Sequence, residues 1–101
     1  MDNKSIVLDI AMNLNRVGNW AADGYEERKK KIGIFLDNTN GYLKNLDESK
    51  FSDSFKDIFN KFKVVYKKLE KQGREGPKDT LYWAEMMMTW GNILTHRSKL
   101  I

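Results

Sequence analysis

Apolar side chains repeat with the helical period over residues 51–69, and this repeat most strongly limits what the chain can fold into. When successive residues are placed about 100° apart around an axis, the apolar ones fall within an arc of roughly 120°. Lysines occupy most of the opposite side, so the stretch is predicted to form a helix with one face in a hydrophobic core. We expect Asp47 or Ser49 to cap its start and Gly73 to end it. The arc contains Phe51, Phe55, Ile58, Phe59, Phe62, Val65, Tyr66 and Leu69.

A second helical stretch lies upstream and begins after Asp23-Gly24. Its apolar residues, such as Leu36 and Leu43, stay in phase across Asn40-Gly41. We therefore predict one continuous helix there rather than a turn, with a cost of about 1 kcal/mol at the glycine.

The first and last parts of the chain repeat the pattern. The first stretch is predicted from about Asn3 to Asp23. Small residues beside its apolar stripe would let another helix come close; they are Ala11, Gly18 and Ala22. The last stretch follows Gly76-Pro77, is capped by Asp79 or Thr80, and runs to near Lys99.

These four stretches predict an all-α fold, namely an antiparallel up-down-up-down four-helix bundle. Each stretch of about 20 residues would span about 30 Å, and short connections favour antiparallel neighbours. One proline and seven glycines among 101 residues are too few for an all-β domain with its many turns. We expect a single helical-bundle domain over residues 1–101.

Composition excludes several classes of site. The chain has no cysteine and one histidine, which removes disulfides, thiolate metal sites and any site that needs two histidines. His96 has Ile93 rather than a glutamate three positions before it, so the Glu-x-x-His pattern of bundle metal sites is absent. No phosphate-loop or calcium-loop pattern occurs. We therefore expect no metal, no cofactor and no enzymatic activity.

Location can also be predicted from hydropathy. The longest aliphatic run is Ile6-Val7-Leu8, far short of the roughly 20 apolar residues that a membrane span needs. A basic leader followed by an apolar segment and a cleavage site is not found. The expectation is a cytoplasmic protein without a membrane partner.

Several apolar residues fall outside the stripes of their helices and suggest self-association. If they are contiguous, they form a patch that soluble monomers usually cover. We interpret them as a homodimer interface on the outer faces of the first and last helices. The predicted interface residues are Leu8, Met12, Ile34, Leu81 and Met88.

A second recognition spot is predicted around Trp20. Arg16 lies one helical turn before it and Asp23 lies on the same side, an aromatic and charged combination that is common in protein interfaces. A helix-end salt bridge over a partly buried tryptophan is the alternative. Arg97 lies on the apolar stripe of the last helix, so it either extends past the bundle end or pairs across a subunit interface.

The charge distribution supports an alternative, nucleic-acid-associated function. The net charge is +4, and residues 49–76 contain eight bases and four acids. A basic face can bind phosphates without sequence preference, although a solvated lysine face is the simpler interpretation. The candidate residues are Lys29, Lys30, Lys31, Lys63, Lys67 and Arg74.

A third alternative is a small-ligand pocket between the helices, lined by Tyr66, Trp83 and Trp90. Bundles do host such pockets, but large aromatic side chains more often fill a core. Taken together, the sequence favours a non-enzymatic protein–protein interaction module, a self-associating protein with a regulatory or accessory role.

Overall fold

The computed structural model describes residues 2–101, whose regular structure is entirely helical. The three α-helices are α1 (Asn3–Asn45), α2 (Asp53–Glu75) and α3 (Thr80–Arg97). Short 3-10 helices occupy Glu48–Lys50 and Ser98–Leu100. No strand occurs within residues 2–101, so the predicted all-α class is confirmed.

The long helix α1 is bent at Gly24, whose backbone angles (φ 170°, ψ 90°) are not helical. A straight helix of this length would reach about 65 Å, whereas the longest extent of the molecule is 38 Å. The start of α1 lies close to the segment that follows its end. The Asn3 side-chain amide donates to the Asp47 backbone carbonyl at 2.8 Å and accepts from the Asp47 backbone N–H at 3.0 Å. We call residues 3–23 the first arm of α1 and residues 25–45 the second arm.

The predicted count of four separate helices is not confirmed, and Gly24 explains the difference. The expected stop at Asp23-Gly24 does coincide with the non-helical residue. However, helical structure resumes at the next residue without a connecting loop, so three helices are counted in the described chain. The prediction of a helix that continues across Asn40-Gly41 agrees with the structure.

The second arm of α1 runs antiparallel to α2. Asp37 pairs with Arg74 at 2.7 Å, and the Asn40 amide donates to the Glu70 carboxylate at 2.6 Å. Residue numbers thus rise along one helix as they fall along the other. Both links lie at the edge of the interface, and the apolar faces of the two helices are turned towards the core between them.

The first arm of α1 packs closely against α3, and glycines allow the approach. A Cβ added at Gly18 would lie 2.8 Å from the Ala84 carbonyl oxygen, and one added at Gly91 would lie 2.9 Å from the Ala11 carbonyl oxygen. Such distances are shorter than a methyl group tolerates, so the two backbones meet where side chains are missing. The expected close approach is therefore present at Ala11 and Gly18, whereas Ala22, the third small residue of the prediction, is exposed.

The start of α2 differs from the expected one. Ser52, rather than Asp47 or Ser49, caps this helix, because its hydroxyl accepts from the Phe55 N–H at 3.1 Å. Asp47 instead caps the preceding 3-10 helix, where its carboxylate accepts from the Ser49 N–H. The Ser49 hydroxyl lowers the pKa of this carboxyl below its ordinary value.

The end of α2 lies three residues beyond the expected one. Gly76 is the C-cap and has a φ of 98°, which favours glycine. Gly73 remains helical and buried, and the ring of Trp83 fills the space beside it. Its lack of a side chain serves packing rather than termination. Asp79 caps α3 as predicted, accepting from the Tyr82 N–H at 3.0 Å.

The hydrophobic core contains side chains from all three helices and follows the predicted stripes. It is built largely from aromatic rings, and the ring centroids of successive phenylalanines from Phe51 to Phe62 lie 4.8 to 5.7 Å apart. The largest side chains with almost no exposed surface are Trp83, Phe55, Phe59, Phe62, Ile10, Leu14, Ile32, Leu36, Met87, Leu94, Val7 and Val17.

Candidate interaction surfaces

The predicted interface residues differ in exposure. Met12, Ile34 and Leu81 expose 46%, 49% and 64% of their surface. Leu8 and Met88 are half-buried. Three of the five side chains thus have apolar surface available to a partner, and the other two have less.

Four of these residues lie on neighbouring helices. Leu8 and Met12 are one turn apart on the first arm of α1, and Leu81 and Met88 are two turns apart on α3. The side chain of Met88 reaches the first arm, since its Cγ lies 2.5 Å from the position of a Cβ on Gly18. The structure therefore places these four on the pair of helices that the glycines hold together.

Ile34 lies on the second arm of α1. Ile34 is two residues from each of the buried Ile32 and Leu36, so its side chain points to the opposite side of the helix, about 160° away. It therefore faces away from the core, on a different helix from the other four predicted interface residues.

Trp20 is half-buried between the two arms of α1. The edge of the Phe35 ring meets it with centroids 4.8 Å apart, and the Lys31 ammonium lies over its ring at 4.8 Å from the centroid. These contacts come from the second arm, so the tryptophan helps to join the arms. A cation over an indole ring adds about 0.5–1 kcal/mol at an exposed site.

The charged residues near Trp20 do not pair as a single cluster. Asp23 forms an ion pair with Arg28 across the Gly24 bend, at 2.7 Å, rather than with Arg16. Arg16 is exposed on the first arm. Arg97 is exposed at the last residue of α3 and forms no ion pair within residues 2–101.

The basic residues proposed for nucleic-acid binding divide into engaged and free groups. Lys63 pairs with Glu48 at 2.7 Å. Arg74 pairs with Asp37 at 2.7 Å and Glu70 at 2.9 Å, and its hydrogen bond to Asp37 raises its pKa. Lys31 covers the indole described above. The candidate basic residues that are exposed and form no ion pair within residues 2–101 are Lys29, Lys30 and Lys67.

The aromatic residues considered as a ligand pocket fill the core instead. The Trp83 indole N–H donates to the Leu69 carbonyl at 2.9 Å. The Phe62 ring lies between Tyr66 and Trp90, with centroid distances of 5.4 and 5.7 Å. Tyr66, Trp83 and Trp90 are all buried, so their surfaces are used in packing.

Two buried tyrosines differ in how their hydroxyl groups are satisfied. The Tyr25 hydroxyl donates to the Gly73 carbonyl at 2.5 Å, which ties the Gly24 bend to α2. The Tyr66 hydroxyl lies near the Thr39 hydroxyl but makes no hydrogen bond of acceptable distance and angle within residues 2–101. Burial raises the pKa of Tyr66 well above its ordinary value, and the nearby Glu70 carboxylate raises it further.

One exposed apolar surface was missed by the sequence interpretation. Val64 exposes 75% of its surface and Tyr82 exposes 60%, and both line a groove of about 400 Å³ between α2 and α3. The signal was present in the sequence, since Val64 lies about 100° from Val65 and outside the α2 stripe. We define the α2–α3 groove by Val64, Val65, Lys68, Leu69, Gln72, Tyr82 and Met86.

Comparisons with family models, with curated proteins and with solved structures find no match for this chain. No helix of residues 2–101 combines the length and hydropathy of a membrane span. Over the same residues, no three side chains of His, Cys, Asp or Glu come together in a way that could hold a metal ion.

Proposed function

We propose that this chain is a non-enzymatic protein–protein interaction module that self-associates as a homodimer, in a regulatory or accessory role. The observation that carries the proposal is the exposure of large apolar side chains on the first arm of α1 and on α3, Met12 at 46% and Leu81 at 64%. The proposal includes the cytoplasmic location expected from the sequence.

The composition of these two helices supports a dimer through their outer faces. Residues 10–22 contain a single charged side chain, Arg16, and residues 80–96 contain a single acid, Glu85, and no lysine or arginine. The centres of protein interfaces are depleted of charge because ionised groups are costly to desolvate. A two-fold contact would place the first arm and α3 of one copy against the same pair of the other.

The architecture we propose for the module is the antiparallel up-down-up-down four-helix bundle, with the arms of α1 as two of the four rods. Support comes from hydrogen bonds that link the arms, including Asn13 Nδ2 to Thr39 Oγ1 at 3.3 Å. The antiparallel pairing of the second arm with α2, and of the first arm with α3, has the same topology.

Light scattering coupled to size-exclusion chromatography tests the dimer. We expect a mass near twice the 11.9 kDa of the chain, and a shift towards monomer in Leu81→Glu, because a carboxylate in an apolar contact must be desolvated. Val64→Glu is the matched control, as Val64 is exposed on α2. A monomer at every concentration, or dissociation by Val64→Glu instead of Leu81→Glu, would refute the proposed dimer.

Nucleic-acid binding is the alternative proposal, and Lys29, Lys30 and Lys67 support it because they are exposed without an ion pair to the described residues. It is the weaker one because Lys63 and Arg74 are already paired with acids. Electrostatic binding to phosphates weakens steeply with salt. Duplex and single-strand binding at two salt concentrations tests this alternative, and no binding at low salt would eliminate it.

A further inference from the structure

The α2–α3 groove combines an apolar floor with high exposure. Val64 on α2 and Tyr82 on α3 expose 75% and 60% of their surfaces. Between them lie Val65, Leu69 and Met86, which also line the groove and pack against the core. From Val64 to Gln72 the α2 wall covers about two helical turns, or ~12 Å. This is the length over which one amphipathic helix places two or three apolar side chains.

Lysines border the groove, and their charge is not neutralised within the molecule. Lys68 lines the groove, and Lys67 and Lys71 line the adjoining hollow on the other side of Val64, where the one acid is Glu75. None of the three lysines forms an ion pair within residues 2–101. Lys63 and Arg74, which lie one helical turn from Lys67 and Lys71 along α2, are by contrast paired with acids of other helices.

From this arrangement we propose that the α2–α3 groove docks an acidic amphipathic helix of another protein. The partner's apolar face would cover Val64, Tyr82 and Met86, and its glutamates or aspartates would face Lys67, Lys68 and Lys71. Complementary charge sets the partner's orientation and speeds encounter, whereas the apolar contacts supply most of the affinity. The inference deepens the proposed interaction function by naming a second surface and its partner.

A second copy of this chain fits the groove poorly. A two-fold contact brings the same surface of both copies together, so Lys67, Lys68 and Lys71 would face their own equivalents, and like charges across an interface are repulsive. Nucleic acid would neutralise these lysines but would leave the valines and Met86 without an apolar partner. An acidic amphipathic helix would cover the apolar residues of the groove and also neutralise its lysines.

Fluorescence anisotropy with two labelled synthetic peptides tests the inference. Both are amphipathic helices of about 16 residues (~24 Å) with the same leucine face, and one carries glutamates on its flanks where the other carries lysines. We expect the glutamate peptide to bind at least about tenfold more tightly than the lysine peptide. Val64→Ser should weaken its binding about tenfold, the usual effect of losing a central apolar contact.

The charge contribution is tested by the double variant Lys68→Glu, Lys71→Glu. It should lose about tenfold or more in affinity for the glutamate peptide. The matched control is Lys29→Glu, Lys30→Glu, which makes the same change in net charge at exposed positions of α1 and should bind the peptide with little change in affinity. Thermal unfolding followed by circular dichroism confirms that each variant is folded.

The result separates this inference from the dimer. Leu81→Glu should dissociate the dimer and leave the affinity for the glutamate peptide unchanged. Val64→Ser should weaken peptide binding and leave the dimer intact. Equal binding of both peptides, or no binding up to about 1 mM protein, would overturn the groove proposal while leaving the dimer to its own assay. Preferential binding of single-stranded DNA or of phosphatidylserine vesicles, lost in Lys68→Glu, Lys71→Glu, would overturn it in favour of a phosphate ligand.

Discussion

Alanine at Gly91 should destabilise the protein, whereas alanine at Gly41 should stabilise it, although both positions lie within helices. A Cβ added at Gly91 would lie 2.7 Å from the Asn15 side-chain nitrogen and 2.9 Å from the Ala11 carbonyl oxygen. A Cβ added at Gly41 would meet no atom within 4 Å. The two substitutions are chemically identical and differ only in their surroundings, so their comparison isolates the packing of α3 on the first arm.

The expected size follows from two opposing effects. Replacing a helical glycine by alanine gains about 1 kcal/mol from backbone propensity at either site. Overpacking costs about 1–3 kcal/mol, and the cost at Gly91 falls in the upper part of this range because the Ala11 carbonyl belongs to a helix backbone. The net change is therefore a loss of about 1–2 kcal/mol at Gly91 and a gain of up to about 1 kcal/mol at Gly41.

Urea and thermal unfolding, followed by the far-ultraviolet circular dichroism of the helices, measure the difference. For a domain of this size, 1 kcal/mol corresponds to about 4–8 °C in Tm. Gly91→Ala should therefore lower Tm by about 4–16 °C, and Gly41→Ala should raise it by up to about 8 °C. The same comparison can be made with a second pair. Gly18→Ala should destabilise the protein, because its Cβ would lie 2.8 Å from the Ala84 carbonyl oxygen, and Gly33→Ala should not, because its Cβ would meet no atom within 4 Å. Gly91→Ala as stable as Gly41→Ala would refute the glycine-dependent approach of the two helices.

Two further predictions concern the buried tyrosines. Tyr25→Phe should lower the free energy of unfolding by about 1–2 kcal/mol, because it leaves the Gly73 carbonyl without its donor, whereas Tyr66→Phe should raise it by about 1 kcal/mol by removing an unpartnered hydroxyl; urea unfolding that shows the same sign for both would contradict this. The raised pKa of Tyr66 implies stability that is fully present below about pH 10 and is lost as the pH rises through the folded-state pKa. Unfolding measured from about pH 9 to about pH 11, one unit either side of the free tyrosine pKa, should show this loss in the wild type and a smaller one in Tyr66→Phe.

The buried faces of the helices could be predicted from the sequence because burial follows a local period. Leu36, Phe59 and Phe62 lie on their predicted stripes and are almost fully buried. The side chain of a helical residue points in a direction set by its position along the axis, so the pattern alone identifies the inner face. The cap at Asp79 could be predicted for the same reason, since capping depends on neighbours three residues away.

Features that depend on distant parts of the chain could not be predicted in this way. Gly73 has the sequence signature of a helix end, but the ring of Trp83 from α3 occupies the space beside it and the helix continues. Whether Gly24 separates two helices or bends one depends on a single pair of backbone angles. A bend and a break at Gly24 leave the spacing of the apolar residues unchanged, so this spacing does not distinguish one bent helix from two separate helices.

The candidate surfaces show the same limit. The sequence places Val64 outside the apolar stripe of its helix, as it does Leu81. The sequence of α2 does not indicate that Tyr82 and Met86 of α3 lie beside Val64. Met88 illustrates the opposite case, because its side chain is directed onto Gly18 of another helix and is half-buried there. Exposure is a property of neighbouring helices, and the sequence of one helix does not specify it.

The close contact between the first arm of α1 and α3 joins segments that are far apart in the chain, and this has a consequence for synthesis. Gly18 meets Ala84, and Ala11 meets Gly91. A ribosome adds about 5–20 residues per second, so the roughly 70 residues between these partners take roughly 4 to 14 seconds to appear. During that interval the apolar side of the first arm has no α3 to cover it, and a nascent chain at this stage is the form most exposed to aggregation and most in need of a chaperone.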